Sequence, residues 1–302
     1  LFIEQTLEQY RTLAGRGVPV RLVVGPWAHL DLTSQGSVAI NESMAWLDRY
    51  AGLDPKSRKT PMSRPPSPPD HPVRVWVGGE GAEQWREIGG WPPPGVAEQR
   101  WYLGPSGSLR PVEPTGTEPA GAEPAAGGPV ASFRYDPADP TPSPGGAIMA
   151  MNAGSRDNRP VERRLDVLVF SSDPLGEPVE ILGEVAAEVF LTRDNPYADL
   201  FVRLCDVDPR GRSLNVCDGI VRLTDADPLT GTVRVSLVGA AHRFGRGHRI
   251  RLQVAGGAFP RFARNPGNGQ LDATAADLVP TQYDIGLDTA HPSALLLPVA
   301  GA

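Results

Sequence analysis

The sequence predicts a mostly β protein: a jelly-roll β-sandwich preceded by a short α/β fragment. Beyond Pro72, short alternating or apolar runs recur between turn residues, and no helical period of comparable length interrupts them. The 34 glycines and 33 prolines supply turns, while a hydrophobic content of 40% sustains a packed core. The helix-strand-helix pattern, by contrast, is confined to the start of the chain. At 302 residues the chain exceeds one average domain. The expected organisation is an α/β part over 1–54, a connector over 55–72 and a sandwich over 73–302.

Taken in order, Ile3, Leu7, Tyr10 and Ala14 recur at helical spacing, with Glu4, Glu8 and Arg11 on the opposite face. Gly15-Arg16-Gly17 ends that helix, and Arg21-Leu22-Val23-Val24-Gly25 is a nearly continuous apolar run of the kind buried in a parallel sheet. A second helix is expected from about Asn41 to Ala51 through Met44, Leu47 and Tyr50. Seven prolines between 55 and 72 then enforce an extended connector. Val73–Val77, Ala187–Leu191 and Leu200–Leu204 read as strands. So do Arg100–Leu103, Arg164–Ser171, Gly219–Leu223, Val233–Val238, Arg249–Val254 and Ala294–Val299. That many short strands implies a sandwich. Pro111–Gly128, built of Pro, Glu, Ala, Gly and Thr, is low complexity and is expected to be a variable surface loop.

A net charge of −6 with interleaved arginines argues against nucleic-acid binding, which needs a basic face. No stretch reaches the roughly 18 apolar residues of a membrane span. Leu1-Phe2-Ile3 enters directly into the helical pattern without an initiator methionine, so further chain is expected before it. Two cysteines are too few for a disulfide framework and suit a reducing, cytoplasmic setting. If Asp208-Pro209-Arg210-Gly211 closes a hairpin, Cys205 falls opposite about Leu214 and Cys217 opposite about Val202, so the thiols are not cross-strand partners.

His29 is the first candidate for chemistry, because it follows the carboxyl end of a buried strand, where open α/β sheets place reactive residues. A lone histidine there is more often structural, and the residues alone leave both readings open. No Gly-x-Ser-x-Gly nucleophile elbow occurs; Gly154-Ser155-Arg156 lies in the β-rich region without the second glycine, and Ser155 reads as a loop residue. Asp206-x-Asp208-x-x-Gly211 has the spacing of half a calcium loop, but Cys217 stands where the bidentate Glu belongs, which favours a hairpin turn. His242 and His248 flank a bend joining two strands and are expected to be satisfied locally; His71 and His291 precede prolines and read as turn residues. No metal or cofactor is implied.

The run Arg21-Leu-Val-Val-Gly-Pro-Trp-Ala-His29 resembles the triad segment of the cocaine esterase and X-Pro dipeptidyl-peptidase family of α/β-hydrolases. The rest of the chain resembles the family's C-terminal jelly roll in order. The resemblance rests on Asp139-Pro-Thr-Pro-Ser-Pro-Gly-Gly146, Arg164-Leu-Asp-Val-Leu-Val-Phe-Ser-Ser172 and Asp199-Leu-Phe-Val-Arg-Leu-Cys-Asp-Val-Asp-Pro-Arg-Gly211. Cys217-Asp-Gly-Ile-Val-Arg222, Gly247-His-Arg-Ile-Arg-Leu252, Phe259-Pro-Arg-Phe262 with Asn265-Pro266, and His291-Pro-Ser293 complete it.

The resemblance implies that residues 1–54 are the C-terminal fragment of an α/β-hydrolase domain and that His29 is the catalytic base. The triad aspartate would stand immediately before Leu1 and the nucleophilic serine further upstream, leaving this chain inactive alone. It also implies pocket roles for Phe2, and for Ile148 and Met149 on a loop after Gly145-Gly146; Ala150 stands where the family's esterases carry an aromatic. The substrate would be a small ester or short X-Pro or aminoacyl peptide, hydrolysed by acyl transfer to water, without nucleic acid or membrane partners and with self-association open. The rival reading is a β-sandwich binding module for carbohydrate or protein, without catalysis.

Overall fold

A computed structural model describes residues 3–27, 32–51, 71–79, 81, 83–113, 128, 130–149 and 151–300. His29, Phe2 and Ala150 lie outside these described residues, as does most of the connector and of the low-complexity stretch.

Helix α1 spans Ile3–Gly15 and buries Leu7 and Tyr10, while Ala14, expected on the same face, is exposed because the helix frays there into the Arg16-Gly17 turn. Strand β1, Leu22–Val24, follows, and α2 covers Leu32–Ala51, starting nine residues before the expected Asn41. The sequence hides that first part because Thr33-Ser34-Gln35-Gly36-Ser37 carries no apolar stripe and a helix-weakening glycine. On α2, Ile40, Met44 and Leu47 are exposed.

Strand β2, Val73–Val77, departs from expectation. It pairs in parallel with β1 and antiparallel with β3, Gln84–Ile88, forming a three-stranded sheet apart from the sandwich network. Sheet membership therefore changes after Ile88, not at Val73. The reason lies in β2's alternation: Val73, Val75 and Val77 pack with Leu7, Tyr10 and Leu22, completing a core that α1 and β1 start. Trp91 and Leu182 close that core against the sandwich.

The remaining strands form a 13-stranded hydrogen-bonded network. Its first strands are β4 (Ala97–Gly104), β5 (Ser108–Arg110), β6 (Val130–Tyr135), β7 (Val167–Ser171) and β8 (Val179–Gly183). They are followed by β9 (Ala186–Arg193), β10 (Ala198–Val207), β11 (Ser213–Leu223), β12 (Thr230–Ser236) and β13 (Ala240–Phe244). Strands β14 (Arg249–Ala255), β15 (Thr281–Gly286) and β16 (Ala294–Val299) complete it. One layer runs β11-β10-β14-β7, and β5 links it to β4-β16-β9-β15-β6. Between the layers lies one large apolar core, including Leu200, Val202 and Leu204 of β10 against Val189, Leu191 and Tyr283. Phe133 and Tyr283 stack within it at 4.6 Å, 2° from parallel.

Strand β10 is buried at all ten positions, unlike a strand with one wet face. Its outer face is covered by residues of 141–146 and 154–166, the latter containing the short helix α3, Arg159–Glu162. The strand expected from Arg164 begins only at Val167, because Arg164 and Asp166 pair with each other at 2.7 Å and Asp166 also accepts from Thr141 Oγ1 at 2.6 Å. These bonds fix the covering segment to the end of β7.

Candidate functional site

Strand β1 delivers the chain toward His29 through Gly25-Pro26-Trp27. A Cβ on Gly25 would sit 2.4 Å from the Trp27 ring, so glycine lets the indole fold back over the strand end. There Trp27 packs on Trp85 at 5.8 Å and Trp85 on Trp76 edge-to-face at 5.4 Å, with the Arg74 guanidinium 4.7 Å from the Trp85 ring. Beside this cluster Glu42 of α2 accepts from Arg21 Nε at 2.8 Å and Arg74 Nη1 at 2.6 Å. The Arg21 hydrogen bond holds the Glu42 carboxyl below its usual range against the opposing effect of burial, with Arg74 adding to it. The exit of the chain from the sheet is thereby fixed by aromatic packing and an ionic network.

Ile148 and Met149 lie on the loop between the two stretches that cover β10. Its base is tightly held: the amides of Gly146 and Gly154 each donate to the other's carbonyl, at 2.8 and 3.0 Å. Asn215 ties the returning limb, donating to Gly154 O at 3.1 Å and accepting from Arg156 N at 2.8 Å. Its tip is apolar and bare, with Met149 63% and Met151 83% exposed and Ile148 half-buried.

The other sequence candidates are occupied elsewhere. Ser155 donates weakly to the Asn215 carbonyl at 3.4 Å, with no histidine among its hydrogen-bond partners. Asp208 accepts from the Arg210 and Arg212 amides at 2.9 Å and from Arg212 Nε at 2.6 Å, which makes it the cap of the hairpin turn. Asp206 faces away, into His242 and His248. The two carboxylates therefore do not converge, and among the described residues no cluster of three His, Cys, Asp or Glu side chains could hold a metal. That Asp206 joins both histidines was not legible in the sequence, which assigned it to the turn. His291 packs on Phe190 at 4.4 Å, and the His71 carbonyl accepts from Arg21 at 2.8 Å.

The cysteine register is one to two residues off expectation. Cys205 pairs with Asn215 and Cys217 with Leu204, because the hairpin closes at Val207–Ser213 and a bulge skips Val216. The thiols remain unpaired and buried. Burial pushes Cys205 up to about 12, and Cys217 is likewise raised, so neither is a nucleophile at neutral pH.

A cleft of about 640 Å³ runs along α1, with Glu4, Leu7, Glu8 and Arg11 on one side and Glu184 and Gly239 on the other. Arg11 is spent there on Glu184 at 2.7 Å, and neither Ile148 nor Met149 lines the cleft.

A jelly-roll sandwich joined to a small helix-covered sheet, with an anchored apolar loop over its outer face, is the class of fold the chain defines. The chain belongs to the X-Pro dipeptidyl-peptidase C-terminal non-catalytic domain family, whose profile matches residues 69–296. It is 31% identical over 306 residues to a cocaine esterase of Rhodococcus sp. (strain MB1 Bresler), covering 92% of this chain and 51% of that protein. An α-amino acid ester hydrolase structure superposes with a TM-score of 0.74 at 25% identity, over 98% of this chain and 52% of the other. An aminopeptidase structure from a marine sediment Thaumarchaeota archaeon shares the fold, with a TM-score of 0.77 at 23% identity, over 97% and 52%. The chain thus spans about half the length of these relatives. No helix among the described residues is long and apolar enough to cross a membrane.

Proposed function

We propose that this chain is the C-terminal half of a serine hydrolase acting by acyl transfer to water on a small ester or an X-Pro or aminoacyl substrate. His29 takes the proton from a serine supplied by chain outside these 302 residues and returns it to the leaving group, and the aspartate that orients His29 comes from the same source. Phe2 from one side and the Ile148-Met149 tip from the other border the acyl pocket. The sandwich shapes that rim and does no bond-breaking itself, so residues 1–302 alone have no hydrolytic turnover. The substrate and any self-association belong to the whole protein.

The observation that carries this reading is the anchoring of Trp27 on Trp85 at the carboxyl end of β1, which fixes the exit of the chain two residues before His29. A sandwich serving only as a binding module has no use for such a strand end. As for organisation, residues 1–54 and 55–72 form the hydrolase fragment and connector and 73–302 the C-terminal unit, whose first two strands, β2 and β3, extend the sheet of β1 and meet the sandwich at β13, where the Gly78 amide donates to the Ala241 carbonyl at 3.0 Å.

A fluorophosphonate serine probe tests the assignment. The full-length gene product is expected to label at one serine, and residues 1–302 expressed alone are expected not to label. Absence of labelling in the full-length protein removes the hydrolase reading and leaves the binding module.

A further inference from the structure

We propose that Arg203 is a positioning residue for the pocket wall: its guanidinium, neutralised by Asp218, sets the height and angle at which the loop carrying Ile148 and Met149 leaves the sandwich. This rests on the reading that the loop borders the acyl pocket.

Arg203 stands on the outer face of β10, directly across the ladder from Asp218 of β11, and both side chains are 1% exposed. All five guanidinium donors are used. Nε and Nη2 donate to Asp218 Oδ2 at 3.1 and 2.9 Å. The other three reach the covering segment: Nη1 donates to the Pro144 carbonyl at 2.9 Å and to Asn158 Oδ1 at 2.8 Å, and Nη2 to Ser143 Oγ at 2.7 Å. Arginine is the side chain with a rigid planar fork of five donors, which is what holding three separate points of a loop while facing one carboxylate requires. Neutralising Asp218 would need only two of the five.

The loop's two limbs meet where this fork grips. Pro144 leads into Gly145 and Gly146, both at positive φ of 68° and 81°, and Asn158 ends the returning limb. A Cβ on Gly146 would stand 2.7 Å from Arg261 Nη1, so the backbone rests directly on a second guanidinium, which pairs with the other oxygen of Asp218. One buried carboxylate therefore holds two arginines beneath the loop. Above them the tip is apolar and largely solvent-exposed at Met149 and Met151. Those two side chains add little to the sandwich core, and the clamp beneath them fixes where they are presented.

The test uses the full-length gene product with Arg203→Lys, which keeps the charge for Asp218 but loses the planar fork, and with Ser143→Ala, which removes one loop tie. Two readouts are taken: amide exchange across 143–158, and KM and kcat for p-nitrophenyl esters of increasing acyl length. Protection at Gly146 and Gly154 is expected to fall by about tenfold or more in Arg203→Lys while Leu252 in β14 keeps its protection. KM for the longer esters is expected to rise several-fold, with kcat for the acetate within about twofold. Unchanged loop protection in a folded variant overturns the proposal, and so does a loosened loop with an unaltered ester profile. Should Arg203→Lys not fold, Ser143→Ala decides by the same readouts, with smaller expected shifts. If the wild type hydrolyses no ester, the hydrolase reading falls by itself, and loop exchange alone decides whether Arg203 positions the segment.

Discussion

His242 Nε2 lies 2.9 Å from Asp206 Oδ2, joining β13 to β10, and the other oxygen of the same carboxylate lies 2.8 Å from His248 Nδ1. An ionised carboxylate only accepts, so each ring nitrogen donates. The pairing matters to the whole molecule because the backbone around His242 also exchanges hydrogen bonds with Gly78, at the end of β2. Asp206→Ala leaves two largely buried imidazoles without a partner and is expected to cost about 3 kcal/mol. Urea denaturation followed by far-UV circular dichroism measures this; a midpoint equal to wild type would show the contact to be idle.

Cys205 and Cys217 are buried, unpaired and raised above the thiol's usual pKa by desolvation. Ellman's reagent is expected to detect no fast-reacting thiol in the native protein at pH 8 and both in guanidinium. Reducing agent is expected to leave the melting temperature unchanged, whereas a drop on reduction would mean the two form a disulfide.

Glu42 provides a pH dependence with a definite sign. Its carboxyl is held low by the Arg21 hydrogen bond, with Arg74 adding to it, so folding favours the ionised form. The resulting stability is fully present above the unfolded value of roughly 4.3 and is lost as pH falls through the lower folded value. Intrinsic fluorescence, sensitive to Trp27, Trp76 and Trp85 beside this network, is expected to change in that acidic window. Glu42→Gln is expected to abolish the step; an identical titration in the variant would assign it to another carboxylate.

Alternation made β2 and β10 legible in the sequence, and short apolar runs bounded by turn residues did the same for β14 and β16. Alternation failed for β3, whose Gln84-Trp85-Arg86-Glu87-Ile88 is polar on an edge, and for β13, where His242 occupies a strand position with its ring on Asp206. It also placed β2 in the wrong sheet, because a period of two reports a buried face and not the neighbour that covers it. His29 gained a role only through the resemblance of its surrounding run. The Arg203-Asp218-Arg261 cluster was invisible for another reason: its members lie in separate motifs, and only the β10–β11 register and the chain's return at Phe259–Phe262 bring them together.

The central claim is that His29 is the general base of an acyl-transfer enzyme. The direct measurement is p-nitrophenyl acetate hydrolysis by the full-length gene product beside its His29→Ala variant, with amide exchange confirming that the variant is folded. Turnover by the wild type and a loss of about ten-thousand-fold or more in the variant is the predicted result. Equal turnover in the two proteins would contradict it, as would a wild type that turns over no ester or X-Pro substrate at all.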